Sequence, residues 1–458
     1  MRLFAWRLLA ASSLLLSAAL AETRPQYGGT LHIAMHVSMM SLDPAAASPD
    51  SVGQRNIDSL IFETLVDLDE SGKPVPALAT SWQSTQGNQR WVFQLRPRVK
   101  FHDGTPLTAD TVAASLKAAN PSWNVSANGD TVVVERDGGD ADVPQELALP
   151  RNAIAKRNAD VPSGTGAFHV VDWQPGKKLT LAADEGYWRG RPFLDGIEIE
   201  TGKSNRDQIL ALDVGKADLV DVAAEWAHRY SVEKRGLRSS APLELLALVF
   251  SREAQTPEEN ALREALALSV DRGPIRNVLL QGAGEPAASI LPNWISGYGF
   301  IFPIAADLPR ARQIREQARS APAWKLGYDG ADPMARLLAE RIALNAKDAG
   351  LSLQPTSAAG ADLMLMKLPI VSVDPWIALN DVIASTGLTR TGLTVTKGKG
   401  ASAEDLYAAE ESVLATGRII PLLHLPVFYG ANAALRNWSI RPDASWNLTD
   451  AWLGSGKP

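Results

Sequence analysis

Residues 91–116 read WVFQLRPRVKFHDGTPLTADTVAASL. Trp91, Phe93 and Leu95 alternate with Val92, Gln94 and Arg96, the period of a half-buried strand. His102 and Asp103 follow, with Gly104 and Pro106 behind them. In an extended chain their side chains point to opposite sides, so adjacency alone makes no acid–base dyad. Thr108 is placed to cap a helix, and Asp110 in its first turn suits the helix dipole. The stretch therefore predicts strand, turn and helix. The rival reading is a secreted hydrolase built on His102 and Asp103; it lacks a nucleophile context, since no GxSxG occurs.

The surrounding composition is that of a globular protein. The chain has 458 residues, 45% hydrophobic and 21% charged, enough for two or three domains. A net charge of −6 offers no basic face and argues against nucleic acid as partner. The N-terminus has another character. Two arginines in MRLFAWR precede the uncharged run LLAASSLLLSAAL, and Ala19-Leu20-Ala21 then supplies small residues before Glu22. This is the layout of a secretory signal peptide cleaved after Ala21. The chain has no cysteine, so a thiolate nucleophile, a thiolate metal site and a lipid-modified cysteine are all excluded. Export without disulfides points to a periplasmic location.

Further along, LHIAMHV (31–37) predicts an early strand and RNIDSLIFETLV (55–66) a helix. RDQILALDVGKADLVDV (206–222) reads as helix, glycine stop, strand. From residue 257 helices dominate, and residues 324–355 form a strand–helix–strand unit. His32 and His36 are four apart, but in a strand that spacing spans about 13 Å, too far for one ion. No metal or cofactor is called for.

Taken in order, GGTLHIA (28–34), FETLVDLDESGKPVPALATSW (62–82), the opening stretch, GTGAFHVVDWQPGKKLTLAADEGYWRGRP (164–192), LREALALSVDRGPI (262–275) and GAGEPAASILP (282–292) resemble family 5 extracellular solute-binding proteins, the peptide/nickel-type receptors of ABC importers. The resemblance implies an α/β, periplasmic-binding-protein-like fold: two mixed α/β lobes around a cleft, with an extra domain on the first lobe. It places residues 27–54, 165–245 and 427–458 in lobe 1, 55–164 in the extra domain and 246–426 in lobe 2. It implies a monomer that captures a peptide-like solute, with a membrane permease of an ABC importer as partner and no enzymatic activity. Other solutes, such as a sugar or a metal chelate, stay open.

The chain holds 13 tryptophans. Trp82, Trp91, Trp173 and Trp188 read as core. Trp226, Trp294 with Tyr298, and Trp376 are expected in loops, the last three beside glycine or proline, where a cleft wall suits an amphipathic ligand. Met39, Met40 and Asp43 follow the first strand, where the resemblance brings the chain to the ligand. In peptide-binding relatives an acid four residues before the proline of an Asp-Pro run pairs with the peptide amino terminus. Here Val371 takes that place and Asp374 alone remains. The expected ligand contacts are thus Met39, Met40, Asp43, Trp226, Trp294, Tyr298, Asp374 and Trp376.

Overall fold

The computed structural model describes residues 24–46, 51–85, 87–136, 142–157, 161–232, 236–297, 302–320, 322–387 and 402–454. The signal-peptide stretch and Tyr298 lie outside the described residues. Among the described residues no helix is long and apolar enough to cross a membrane.

The strands follow in chain order. β1 is Thr30–Ala34. β2 (Val66–Leu68), β3 (Pro74–Pro76), β4 (Ala79–Thr85), β5 (Arg90–Leu95), β6 (Asn124–Asn128) and β7 (Thr131–Glu135) come next. β8 (Phe168–Gln174), β9 (Lys178–Ala183), β10 (Gly196–Glu200), β11 (Leu219–Val222) and β12 (Leu237–Phe250) follow. β13 (Glu285–Pro286), β14 (Ala323–Gly327), β15 (Ser352–Thr356), β16 (Leu363–Pro369) and β17 (Ile419–Ala431) complete the main set.

The opening stretch folds as its pattern predicts. β5 turns inside the sheet β4–β5–β7–β6, and helix Ala109–Ala119 lies on it with Val112 and Leu116 buried against Phe93, Val132 and Val134. Thr108 caps that helix: its hydroxyl accepts the Thr111 N–H at 3.3 Å, and the Thr111 hydroxyl accepts the Thr108 N–H in return. Trp82 and Trp91 only flank this core, half-buried, while Phe93 fills it. The first strand is shorter than the pattern predicts, since the chain leaves the sheet after Ala34. The first helix spans Val52–Ile61, earlier than predicted, because Ser51 caps it and Phe62 is already extended.

One large sheet runs β15-β14-β16-β12-β17-β11-β1-β10-β9-β8. β12 and β17 are its spine, 14 and 13 residues long. Leu237–Ser239 pair with Gly430–Phe428, which also pair with β11. Farther along, Glu244–Val249 pair with Leu425–Ile419, and β12 takes β16 on its other edge. Both strands thus belong to two lobes. Between those stretches Pro242 faces Pro426, with register breaks on both sides of Pro242. Neither proline has a backbone N–H, so the ladder loses its rungs at this crossing. The Val427 N–H turns instead to the Ser240 hydroxyl, 3.0 Å away. The result is a pair of strands that is weakest where the lobes meet.

Candidate ligand cleft

Strand directions define the cleft. β11 is antiparallel to β17 and ends with Val222 opposite Phe428, at the proline crossing; β1 runs parallel to β11. On the other lobe β16 is antiparallel to β12 and ends with Pro369 opposite Glu244, and β14 runs parallel to β16. The carboxyl ends of strands from both lobes therefore face one line beside the hinge. In open α/β sheets this is where ligands bind.

Charged groups from both lobes gather there. Asp221 of β11 accepts the His36 backbone N–H at 3.1 Å, and burial raises its carboxyl to about 6. Burial also raises Glu244, with Lys367 and Arg55 pulling the other way. Glu225, at the start of helix Ala224–Val232, is raised by burial and lowered in part by Lys367 of the opposite lobe. Lys367 itself lies 3.6 Å from Asp332, the N-cap of helix Pro333–Asp348. An acid in an otherwise apolar strand is the signal that marks Asp221 in LVDV and Glu244 in LELLALVF, since a charge in such a position is costly without a purpose.

Beside this line lies a recess walled by five parts of the chain. Phe62, Leu68, Leu149 and Tyr187 give it apolar surface, and Val371 closes it from the second lobe. Asp67, Arg189, Arg441 and Asp443 supply its charge. At its edge Glu63 accepts the Tyr187 hydroxyl at 2.9 Å, the Trp188 indole N–H at 2.8 Å and the Thr165 hydroxyl at 2.9 Å. These bonds fasten the segment after the first helix to the β9–β10 connection and fix the recess wall.

The sequence-predicted residues fall in several places. Trp226, expected in a loop, instead lies in the first turn of helix Ala224–Val232 after β11, half-buried against the cluster of Ala34, Val222 and Tyr230. Trp294 is 45% exposed and donates its indole N–H to the Pro242 carbonyl at 3.3 Å, so it rests on the hinge. Met40 is exposed and covers the β8–β9 turn at Gly176. Met39 is buried, and its carbonyl accepts the Gly176 N–H. Asp43 forms a two-pronged pair with Arg157 at 2.7 Å each; burial works against its charge, but Arg157 and the Ala45 N–H hold the carboxyl below its usual range. Asp374 caps helix Pro375–Ser385, accepting the N–H groups of Trp376 and Ile377 at 3.0 Å. Trp376 is buried in the main core. Met39, Asp43 and Trp376 thus carry structural roles that the sequence pattern did not reveal.

His102 and Asp103 do not pair with each other. The His102 Nε2 lies 2.9 Å from the Gly166 carbonyl, while Asp103 takes the Lys156 ammonium at 2.6 Å and the Thr105 hydroxyl at 2.6 Å. Both fasten a turn.

Two α/β lobes joined by two crossing strands, with the strand ends meeting at the crossing, define the periplasmic-binding-protein fold. Residues 73–364 match the model of bacterial extracellular solute-binding proteins, family 5 (middle region), and the chain belongs to this family. Among curated relatives, the nickel-binding protein NikA of Staphylococcus aureus is 26% identical over 297 residues, which span 59% of this chain and 57% of that protein. The oligopeptide-binding protein AppA of Bacillus subtilis is 23% identical, over 68% of this chain and 62% of that protein. The chain thus matches less than two thirds of either relative's length. Among solved structures, S. aureus NikA in complex with Ni(L-His)2 superposes with a TM-score of 0.79 at 18% identity, covering 93% of this chain and 99% of that one. A dipeptide-binding protein from Pseudoalteromonas in complex with Met-Leu gives 0.80 at 16% identity, covering 93% and 100%.

Proposed function

We propose that this chain is an exported receptor that captures a peptide-like solute between its lobes and delivers it to the permease of an ABC importer. The observation that carries the reading is the proline crossing. Two strands shared by both lobes lose their ladder at Pro242 and Pro426, beside the converging strand ends. This is the construction a hinge needs, and closure around a ligand needs a hinge. Capture shifts the population from open to closed, and the closed form docks on the permease. Family membership supports the receptor role. The relatives' names include nickel, oligopeptides and glutathione as ligands. A peptide-like solute is favoured here by the aromatic and apolar surface of Trp226, Trp294 and the recess beside acids and guanidinium groups.

Tryptophan emission is the direct probe, since Trp294 sits on the hinge. A panel of di- to pentapeptides, glutathione and nickel–histidine is titrated while X-ray scattering follows the radius of gyration. The expected outcome is a spectral change and a compaction with at least one peptide. A chain that never compacts, and from which gentle purification yields no retained solute by native mass spectrometry, refutes the receptor reading.

A further inference from the structure

The geometry points to a specific function for the recess beside the cleft: it holds the zwitterionic α-amino-acid head of the solute, with Arg441 taking the carboxylate and Asp67 the ammonium. This rests on the receptor reading above and narrows its ligand to a solute that keeps both charges on one α-carbon, as a free amino acid or a γ-linked peptide such as glutathione does and an ordinary α-peptide does not.

Arg441 is the under-satisfied cation of the recess. Its Nε is buried and has no hydrogen-bond partner. Its Nη1 lies 3.9 Å from Asp67 Oδ1, beyond hydrogen-bond reach. A guanidinium carries five donors in a planar fork, and a buried donor without an acceptor is costly. Among the described residues no closer acceptor meets this side chain. A carboxylate is the group whose two oxygens match the fork.

Asp67 is the complementary half. Its Oδ1 accepts the Leu68 N–H at 2.9 Å, and among the described residues no donor is bonded to Oδ2. The other acids of the recess already have donors. Glu63 takes three, Asp58 takes the Gln54 amide at 2.8 Å, and Asp443 takes the Ser445 N–H and hydroxyl. Arg189 is held too, stacked on Trp188 and 3.7 Å from Glu63.

The splayed Arg441–Asp67 pair therefore presents an unused donor fork beside an unused acceptor, about the separation of the two charges in an α-amino acid. A bare anion would meet Asp58, Glu63, Asp67 and Asp443 in the same space and be repelled. A zwitterion brings its own cation to that acidic surplus. The walls of Phe62, Leu68, Leu149 and Val371 offer an apolar face against which an apolar side chain can rest.

The test uses the full exported chain, dialysed free of retained solute, and calorimetric titration with L-phenylalanine, N-acetyl-L-phenylalanine and L-phenylalaninamide. Phenylalanine is expected to bind, and masking either charge to weaken it about tenfold or more, the range for a lost charged hydrogen bond. Arg441→Gln is expected to weaken phenylalanine about tenfold and leave phenylalaninamide unaffected. Asp67→Asn is expected to do the reverse, weakening phenylalanine and sparing the acetylated form. The masked ligands need no variant, so a folding defect in either substitution does not blunt the test. Equal binding of the three compounds, or no binding of phenylalanine at millimolar concentration, overturns the assignment. If the lobes still compact around another solute in that case, the recess proposal falls alone. If nothing compacts the chain, the receptor reading falls with it.

Discussion

Glu410 shows what burial does to a single side chain. It lies fully buried in helix Ala403–Ala415. One carboxylate oxygen accepts the N–H groups of Ile290 and Leu291, the latter at 3.1 Å, and the other oxygen has no partner. Burial raises the carboxyl to about 7, although both N–H groups favour the charged form. A carboxyl raised in the folded state contributes stability that is full below the unfolded value of 4.5 and lost as pH rises through 7. That span corresponds to something on the order of 3 kcal/mol. His424 works in the opposite direction on the same loop. Its Nε2 lies 3.0 Å from the Ile290 carbonyl, and burial lowers it to about 4, so its contribution is lost as pH falls. The two slopes oppose each other in the wild-type curve, and the informative quantity is a difference. Glu410→Gln keeps an acceptor and removes the charge. It is expected to match wild type near pH 4 and to exceed it by about 1–3 kcal/mol above pH 7 in urea unfolding. Parallel curves across that range would show that Glu410 titrates in the folded chain as it does in the unfolded one, with partners for its charged form offsetting burial.

At the scale of elements, close approaches carry information that local patterns do not. The turn between β2 and β3 brings Gly72, at φ +78°, against Val373 of the second lobe; a Cβ there would stand 2.5 Å from Val373 Cγ2. Gly72→Ala adds a left-handed backbone penalty of about 1 kcal/mol to that overlap. It is expected to destabilise the chain by about 2 kcal/mol, and Val373→Ala in the same chain to recover the overlap but not the backbone part. Additive losses in the double-mutant cycle would mean that the two elements do not touch. Such contacts explain which parts of the fold the sequence made legible. Alternation and capping residues are local, so β5, the helix at Ala109–Ala119 and the helix–strand units could be read directly. The proline crossing has no local signature, because Pro242 and Pro426 meet only through pairing across 184 residues. The site was less legible for the same reason. Asp43 looks free until Arg157 arrives from 114 residues away, and Trp376 resembles a loop residue until helix Pro375–Ser385 buries it. Arg441 and Asp67 carry no local signature, since their relation exists only in the assembled recess.

For the whole molecule, the closure proposed above draws on contacts that span the lobes. Arg151, beside the recess, reaches Asp381 of helix Pro375–Ser385 at 3.0 Å, with side chains 34% and 22% exposed. A pair this accessible contributes at most about 1 kcal/mol to overall stability. Its leverage lies in the closure proposed above, because it joins a residue assigned to the extra domain to one assigned to lobe 2. Apparent affinity scales with the population of the binding-competent state, so weakening a closed-state contact raises the apparent Kd by the same factor. Arg151→Ala and Asp381→Ala are each expected to weaken solute binding about two- to fivefold, while the melting temperature without solute stays within a degree or two. Arg151→Asp combined with Asp381→Arg is expected to recover most of the loss. The wild-type advantage should shrink between low salt and 1 M salt, where the Debye length falls to about 3 Å. If either single variant bound solute as tightly as wild type at low salt, the pair would contribute nothing to closure. If the swap failed to rescue, each charge would be acting through a different neighbour.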